Sequence, residues 1–163
     1  FIVGDREKVP SLPTGNGMAV RNVTSILDRA GRFRVGPFFN GRRAEATIGR
    51  FERGCEALGK GKDFLVVYYG SDQAGGWQPL DRPLRTLTTL DRFGVVQWSN
   101  GEPTFRMLQV PEMRKAMGLP ASFRLRHGTR RDHVKILGNG VCAPVMKSVI
   151  EELIGSEALQ MAA

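Results

Sequence analysis

The period of the apolar residues changes twice along the 163 residues, and this change constrains the fold class more than any other feature. Up to Lys62 the apolar residues recur mainly at helical spacing, and from Phe64 to Leu108 they fall into short β-prone runs bounded by glycine, proline or asparagine. From Val110 the spacing is helical again. Helices and strands segregated in this way predict an α+β domain.

The pattern also predicts the individual elements. A short helix runs from about Val20 to Gly31, and an extended basic stretch covers 32–43. A second helix covers 45–58 and stops at Gly59, with an apolar stripe that consists of Ile48, Phe51, Cys55 and Leu58. The predicted strands are 64–69, 85–89, 94–98 and 104–108, and the later helices begin at Val110 and cover 129–137 and 143–154.

Length and composition favour one ordinary domain, or a small domain with an appendage. Hydrophobic residues make up 41% and charged residues 25% of the chain, which is typical of a protein with a packed core. No apolar run approaches the roughly 18–20 residues that cross a bilayer, and the first residues do not resemble a secretion signal. We therefore expect a cytoplasmic protein with no membrane partner.

The charge balance favours a polyanionic partner. The chain has 24 Lys and Arg residues against 16 Asp and Glu residues, a formal net charge of +8. The arginines crowd three stretches, 29–53, 82–92 and 124–131, and their guanidinium groups suit forked contacts with phosphate and guanine edges. Charge by itself leaves open a basic protein that binds nothing anionic.

The cysteines and histidines form no pattern typical of a metal site or a disulfide framework. Cys55 and Cys142 lie far apart, with only His127 and His133 to accompany them. We interpret both cysteines as small buried hydrophobes and both histidines as surface or hydrogen-bonded residues. No metal is expected.

Three C-terminal segments carry the most specific signal. They are Arg106-Met-Leu-Gln-Val-Pro-Glu-Met-Arg-Lys-Ala-Met-Gly-Leu-Pro120, His127-Gly-Thr-Arg-Arg131 and Lys135-Ile-Leu-Gly-Asn-Gly-Val-Cys-Ala-Pro-Val145. In this order and spacing they resemble the closing segments of bacterial and phage DNA cytosine-5 methyltransferases. The resemblance implies that Asn139, Gly140 and Val141 contact S-adenosylmethionine. Because Asn139 and Gly140 lie between two predicted helices, we expect free main-chain N–H groups there, and glycine would permit close approach. The alternative is a glycine-capped turn between two helices without a ligand.

A fourth segment, Pro83-Leu-Arg-Thr-Leu-Thr-Thr-Leu-Asp-Arg-Phe93, resembles the passage from the recognition domain back to the catalytic domain in this family. A strand rich in threonine and arginine would offer donors to DNA phosphates around an extruded nucleotide, and the candidates are Arg85, Thr86, Thr88 and Arg92. The candidate base-reading residues of the loop 68–82 are Gln73, Gln78 and Arg82, with Tyr68, Tyr69 and Trp77. The alternatives are threonines on a solvated strand face and a tryptophan that packs in the core.

The N-terminal half extends the resemblance. Phe1-Ile-Val-Gly-Asp-Arg6 resembles the strand that follows a Gln-x-Arg-x-Arg motif, and 43–58 resembles a Thr-x-x-Arg-x-x-x-Gly helix, here with Thr47, Arg50 and Gly54. The resemblance implies that 1–8 is the last strand of the catalytic domain, 9–105 a target-recognition domain, and 106–163 a C-terminal segment. That segment would pack on an absent Rossmann-like methyltransferase domain, so we expect the chain to be a fragment.

Two motifs that carry the chemistry of the family are missing. Methylation at cytosine C5 needs a thiolate and a carboxylic acid, which the family supplies from Pro-Cys-Gln and Glu-Asn-Val. Neither tripeptide occurs in the sequence. The resemblance therefore implies a DNA (cytosine-5)-methyltransferase of bacterial or phage origin whose catalytic part is elsewhere, with this chain inactive alone and bound to duplex DNA. A non-enzymatic DNA-binding module and one subunit of a split methyltransferase are the alternatives.

Overall fold

The computed structural model describes residues 20–69 and 75–160, with side chains described up to Leu153. Its strands are β1 (Gly36–Pro37), β2 (Phe64–Val67), β3 (Trp77–Pro79), β4 (Phe93–Ser99) and β5 (Glu102–Met107). Its helices are α1 (Val23–Ile26), α2 (Glu45–Leu58), α3 (Val110–Ala116), α4 (Arg130–Asn139) and α5 (Ala143–Gln160). The strands form one antiparallel sheet in the order β1-β5-β4-β2-β3, which confirms the predicted α+β class.

The sheet is covered on both faces because β2 is apolar at every position and β4 is buried over Phe93–Val96. In β2, Phe64 and Val66 point to one face, where they pack with Phe51 of α2. Leu65 and Val67 point to the other face, where they join side chains from α1, α3 and α4. Alternation along a strand sends successive side chains to opposite faces, so an uninterrupted apolar run fills two cores.

Helix α2 forms as its periodicity predicts. Phe51 is buried, and Ile48, Cys55 and Leu58 pack against the same aromatic cluster. Gly54 lies directly over β2, where an added Cβ would come within 2.7 Å of Phe64 Cζ. The helix ends at Gly59, whose φ of +93° is a conformation that glycine adopts without strain. The prediction for 45–58 is therefore confirmed.

The β4–β5 hairpin lies within the predicted strand region. Asn100 and Gly101 both have positive φ, +52° and +80°, as the tight two-residue turn of a hairpin requires. The strands pair from Gly94 opposite Met107 to Ser99 opposite Glu102. The strands predicted at 94–98 and 104–108 are confirmed with small shifts of their ends.

Three predictions about local structure are wrong or incomplete. The first helix is only one turn, α1, because Leu27 already has an extended backbone. Residues 85–89 are irregular and not a strand, since the apolar residues Leu84 and Leu87 recur at a spacing of three and not two. The short edge strand β3 lies where the sequence indicated a loop.

The expected boundary between residues 105 and 106 falls inside β5, which pairs with β4 on both sides of that point. Met113 of α3 and Leu137 of α4 share one core with Leu65 and Val95 of the sheet. The helices up to α4 thus belong to the same packed unit as the strands. The strand expected at 1–8 lies outside the described residues.

Candidate nucleic-acid and cofactor interface

The turn between α4 and α5 holds the three residues expected to contact S-adenosylmethionine. Asn139 is the last residue of α4, Gly140 caps the helix, and Val141 follows with 47% of its surface exposed. Asn139 and Gly140 are exposed as well. Free main-chain donors were expected here, but the N–H of Gly140 donates to Leu137 O over 3.2 Å. That part of the expectation is wrong, and Val141 and Cys142 are the residues of the turn that could offer main-chain donors.

This turn is anchored on the end of α3. Ala143 N–H, at the start of α5, donates to Met117 O over 3.2 Å. Gly118 has a φ of +68°, and an added Cβ would come within 2.5 Å of Pro144 Cγ. A side chain at Gly118 would therefore be strained by its backbone and would clash with Pro144. The segment 106–120 and the segment 135–145, recognised separately in the sequence, lie in direct contact.

Helix α4 also packs directly on the main chain of the segment 83–93. Gly138 faces the carbonyl group of Thr88, and an added Cβ would lie 2.6 Å from Thr89 N and closer still to Thr88 O. Backbone cannot move aside as a flexible side chain can, so only glycine permits this approach. The candidate DNA-binding segment and the candidate cofactor turn are thereby joined through one helix.

The candidate DNA-binding side chains differ in exposure. Arg82 and Thr86 are exposed, whereas Arg85, Thr88 and Arg92 are half-buried. Arg92 Nη1 donates to Tyr68 O over 3.1 Å, and Thr88 Oγ1 donates to Leu90 O over 3.2 Å. Because the segment is irregular, donors do not alternate along a strand face as expected. Arg82 and Thr86 are the members most accessible to a ligand.

Gln78 does not fit the role of a base reader. Its side chain is 2% exposed, and Nε2 donates to Pro83 O over 2.6 Å while Oε1 accepts from Arg85 N over 3.2 Å. Both ends of the amide are used to shape the chain between β3 and Arg85. This prediction is corrected. Gln73 lies outside the described residues.

The aromatic candidates of the same loop belong to the two cores. Tyr68 and Trp77 pack against the cluster under α2, and Tyr69 packs edge-on against Phe93 in the opposite cluster. Burial raises the pKa of the Tyr69 hydroxyl, and the positive charge of Arg85 offsets part of that rise. The structure therefore favours the packing alternative for Trp77.

A buried ion pair that the sequence did not single out ties α3 to β5 and to the residues after α1. Glu112 is fully buried, and its two oxygens accept from Arg106 Nη1 and Nη2, each over 2.7 Å. The carboxylate also accepts from Gln109 N over 2.8 Å and Asp28 N over 2.9 Å. The pattern Gln109-x-x-Glu112 is a capping box at the start of α3, the one signal that could have indicated Glu112.

A second ion pair holds the N-terminal end of α4. Arg130 Nη2 lies 2.7 Å from Asp91 Oδ2 and also donates to Leu108 O over 2.6 Å. Its Nη1 donates to Gln109 Oε1 over 3.1 Å. Arg130 thus connects α4, the segment 83–93 and the start of α3 at one point.

Cys55 does not have the properties of an activated nucleophile. Cys55 is half-buried on α2, and its burial raises the pKa of the thiol, with Glu52 adding to the rise and Lys60 opposing it. A raised pKa lowers the fraction of thiolate at neutral pH, which is the opposite of an activated nucleophile. Cys142 is half-buried in the turn before α5. His133 Nε2 lies 2.9 Å from His127 O, a hydrogen bond within the α4 region.

Within residues 20–69 and 75–160, no group of three or more His, Cys, Asp or Glu side chains is arranged to hold a metal ion. Over the same part of the chain, none of the helices combines the length and apolar character needed to span a membrane. Comparison with models of protein families, with curated proteins and with solved structures gives no match for this chain.

Proposed function

We propose that this chain is the C-terminal part of a DNA (cytosine-5)-methyltransferase, where it binds duplex DNA and completes the S-adenosylmethionine site. The observation that carries the proposal is the contact of Gly138 with the Thr88 carbonyl, together with that of Gly118 with Pro144. Three segments that resemble one family separately in sequence come together around α4 and the turn 140–142. The contacts at Gly138 and Gly118, which leave no room for a side chain, hold these segments together.

The cofactor side of the proposal rests on the exposed turn. Asn139, Gly140 and Val141 are accessible, so a polar ligand such as the amino-acid or ribose part of S-adenosylmethionine could reach them. The rest of the cofactor site would come from the catalytic part.

Helix α5 offers a surface on which the catalytic part could pack. Apolar side chains on and before this helix are exposed: Val141, Val145, Ile150 and Leu153. Val141 and Ile150 also line a cleft of about 530 Å³, whose other lining residues are Ala143, Met146, Lys147 and Glu151. Contiguous exposed apolar residues are typical of protein interfaces, and this surface directly continues the candidate cofactor turn.

The DNA side of the proposal rests on the net charge of +8 and on the exposed Arg82 and Thr86. Arg85 and Arg92 are half-buried at the same segment and could present their guanidinium groups at its rim. Contacts of this kind bind phosphate without reading sequence, so we expect binding that weakens steeply with salt.

The experiment is reconstitution with a catalytic part. The reading frame, or its neighbour, should encode Gln-x-Arg-x-Arg, Glu-Asn-Val and Pro-Cys-Gln, and that polypeptide should be mixed with this chain. We expect transfer of tritiated methyl groups from S-adenosylmethionine to duplex DNA by the mixture and none by either part alone. Methylation by this chain alone would contradict the missing-nucleophile argument, and absence of the three motifs at the locus would favour a non-enzymatic DNA-binding module.

A further inference from the structure

A basic groove lies beside α3, and none of the candidate DNA-binding or cofactor residues lines it. It has a volume of about 360 Å³ and is lined by Val110, Pro111, Arg114, residues 123–126 and His133. Three arginines, Arg114, Arg124 and Arg126, contribute to its wall, and no carboxylate does. A concave surface with cations of one sign concentrates anionic ligands.

The arginines of the groove stand on a segment whose position is fixed. Arg114 Nη1 donates to Ala121 O and to Phe123 O, each over 3.1 Å, and so holds the segment 121–126 against α3. Leu125 packs against the core in the middle of that segment. A ligand would therefore meet guanidinium groups on a backbone that is already ordered, which lowers the entropy lost on binding.

Within the described part of the chain, no ion pair neutralises Arg124 or Arg126 of the groove. Arg124 and Arg126 are exposed and make no ion pair or hydrogen bond with other described residues. Between Pro120 and Leu137 the only acidic residue is Asp132, and its Oδ2 already accepts from Thr129 N and Thr129 Oγ1. Two arginines thus remain available to an external anion.

The groove continues the candidate DNA-binding surface. Arg130 bonds to Asp91, the neighbour of Arg92, and also to Leu108 O and Gln109 Oε1. Val110 and Pro111, which line the groove, follow directly in the chain. The ion pair of Arg130 with Asp91 therefore lies between the segment 83–93 and the near end of the groove. A single extended polyanion could contact both.

We propose that this groove binds backbone phosphates of duplex DNA through Arg124 and Arg126, as a second contact beside that of the segment 83–93. This inference rests on the proposed function, since it assigns a further surface for the same DNA. Phe123, 37% exposed, provides an apolar wall against which a deoxyribose can lie. The contacts carry no base information, so they contribute affinity equally for every sequence.

The test measures the affinity of the purified chain for a short duplex DNA over a range of salt concentrations. The logarithm of the association constant falls linearly with the logarithm of the salt concentration, and each lost phosphate contact reduces the magnitude of this slope by about 1. The variant R124Q/R126Q should therefore reduce the magnitude by about 2. The matched control K60Q/K62Q removes the same charge from exposed lysines outside the groove and should leave the slope unchanged. The single variants R124Q and R126Q, each expected to lower the slope by about 1, provide the same readout if the double variant does not fold.

The outcomes separate the groove from the proposed function. An unchanged slope in R124Q/R126Q, with weaker binding by R82Q/R85Q, overturns the groove assignment and leaves the proposed function standing. Equal loss in R124Q/R126Q and K60Q/K62Q shows a general charge effect and also overturns it. Failure of the unmodified chain to bind duplex DNA at low salt contradicts both, and loss of duplex RNA binding alone would assign the groove to RNA and overturn the proposal.

Discussion

Glu112 is a buried carboxylate whose two oxygens accept hydrogen bonds from Arg106, Gln109 and Asp28. It is fully buried yet faces a guanidinium group and two main-chain N–H groups, which replace the water that a carboxylate loses on burial. Its partners come from β5, from the first turn of α3 and from the residue Asp28. The residue therefore stabilises the meeting point of three parts of the chain.

Replacement E112Q should strongly destabilise the fold. It leaves the Arg106 guanidinium buried without a counter-charge, a change that costs about 3–5 kcal/mol. The free energy of unfolding, from urea denaturation, measures the loss. The control is E151Q, whose partner Lys147 lies 3.5 Å away on the surface and whose loss should cost at most about 1 kcal/mol. Equal effects of the two substitutions would contradict this account of Glu112.

The hydrogen bonds of Asp132 make the stability of α4 depend on pH. Hydrogen bonds from Thr129 N and Thr129 Oγ1 lower the pKa of Asp132 below its usual value. A carboxyl group with a lowered folded pKa contributes stability above its unfolded pKa, and the contribution is lost as the pH falls through the folded pKa. Wild type should therefore be more stable than D132N at neutral pH, and the difference should shrink as the pH falls below about 4. Urea midpoints at several pH values measure it, and a difference that grows on acidification would contradict the sign.

At the scale of elements, the position of α4 depends on the absence of a side chain. Glycine within a helix costs about 1 kcal/mol relative to alanine, so Gly138 weakens α4 locally. In return it allows the helix to approach the Thr88 carbonyl, and this contact brings the segment 83–93 beside the turn that follows α4. The loss in helix propensity is offset by the packing of two elements.

Alanine at the two glycines of this region should destabilise the fold to different extents. G138A should destabilise the fold by about 1–3 kcal/mol, because the new Cβ meets main chain that cannot rotate away. G140A should cost less than G138A, because its Cβ would meet Leu137 O at 3.2 Å, which a shift of a few tenths of an ångström relieves, and would meet Ile136 O and the flexible Met117 Cε only at 3.5 Å. Thermal unfolding of both variants makes the comparison. A stabilised G138A, as helix propensity alone predicts, would contradict the close packing of α4 on residues 88–89.

At the scale of the whole molecule, one sheet with helices on both faces holds the described candidate residues on a single packed unit. Helix α2 packs on one face of the sheet and α4 packs on the other. The sheet therefore separates α2 from α4 and from the turn 140–142 that follows it. The half-buried Cys55, with its raised pKa, lies on that helix and packs against its aromatic cluster. The architecture thus separates the thiol of Cys55 from the surfaces assigned to DNA and cofactor.

The reconstituted enzyme should not depend on the cysteines of this chain. The variant C55A/C142A, mixed with the catalytic part, should retain methyl transfer within about twofold, because the nucleophile required at C6 is expected in the missing Pro-Cys-Gln motif. Incorporation of tritiated methyl groups measures it. A loss of several orders of magnitude, with the fold intact by circular dichroism, would place the nucleophile in this chain.

The sequence indicated the structure correctly where the stabilising interactions join residues that are close together in the chain. The stripe of α2, its stop at Gly59, the hairpin strands and the start of α4 at Thr129 all depend on side chains within a few residues of one another. Short-range patterns also predicted the exposed turn that ends α4. Periodicity and capping are properties of neighbouring residues, so they can be recognised without knowing the fold.

The tertiary structure alone decided which of the candidate side chains remain accessible. Gln78 is buried, with both ends of its amide bonded to Pro83 O and Arg85 N. The main chain of the irregular threonine-rich segment packs against Gly138, more than 45 residues away in the sequence. The partners of Glu112 likewise come from distant parts of the sequence. Contacts of this kind depend on how whole elements pack, and no local pattern of apolar and polar residues encodes which distant groups will meet.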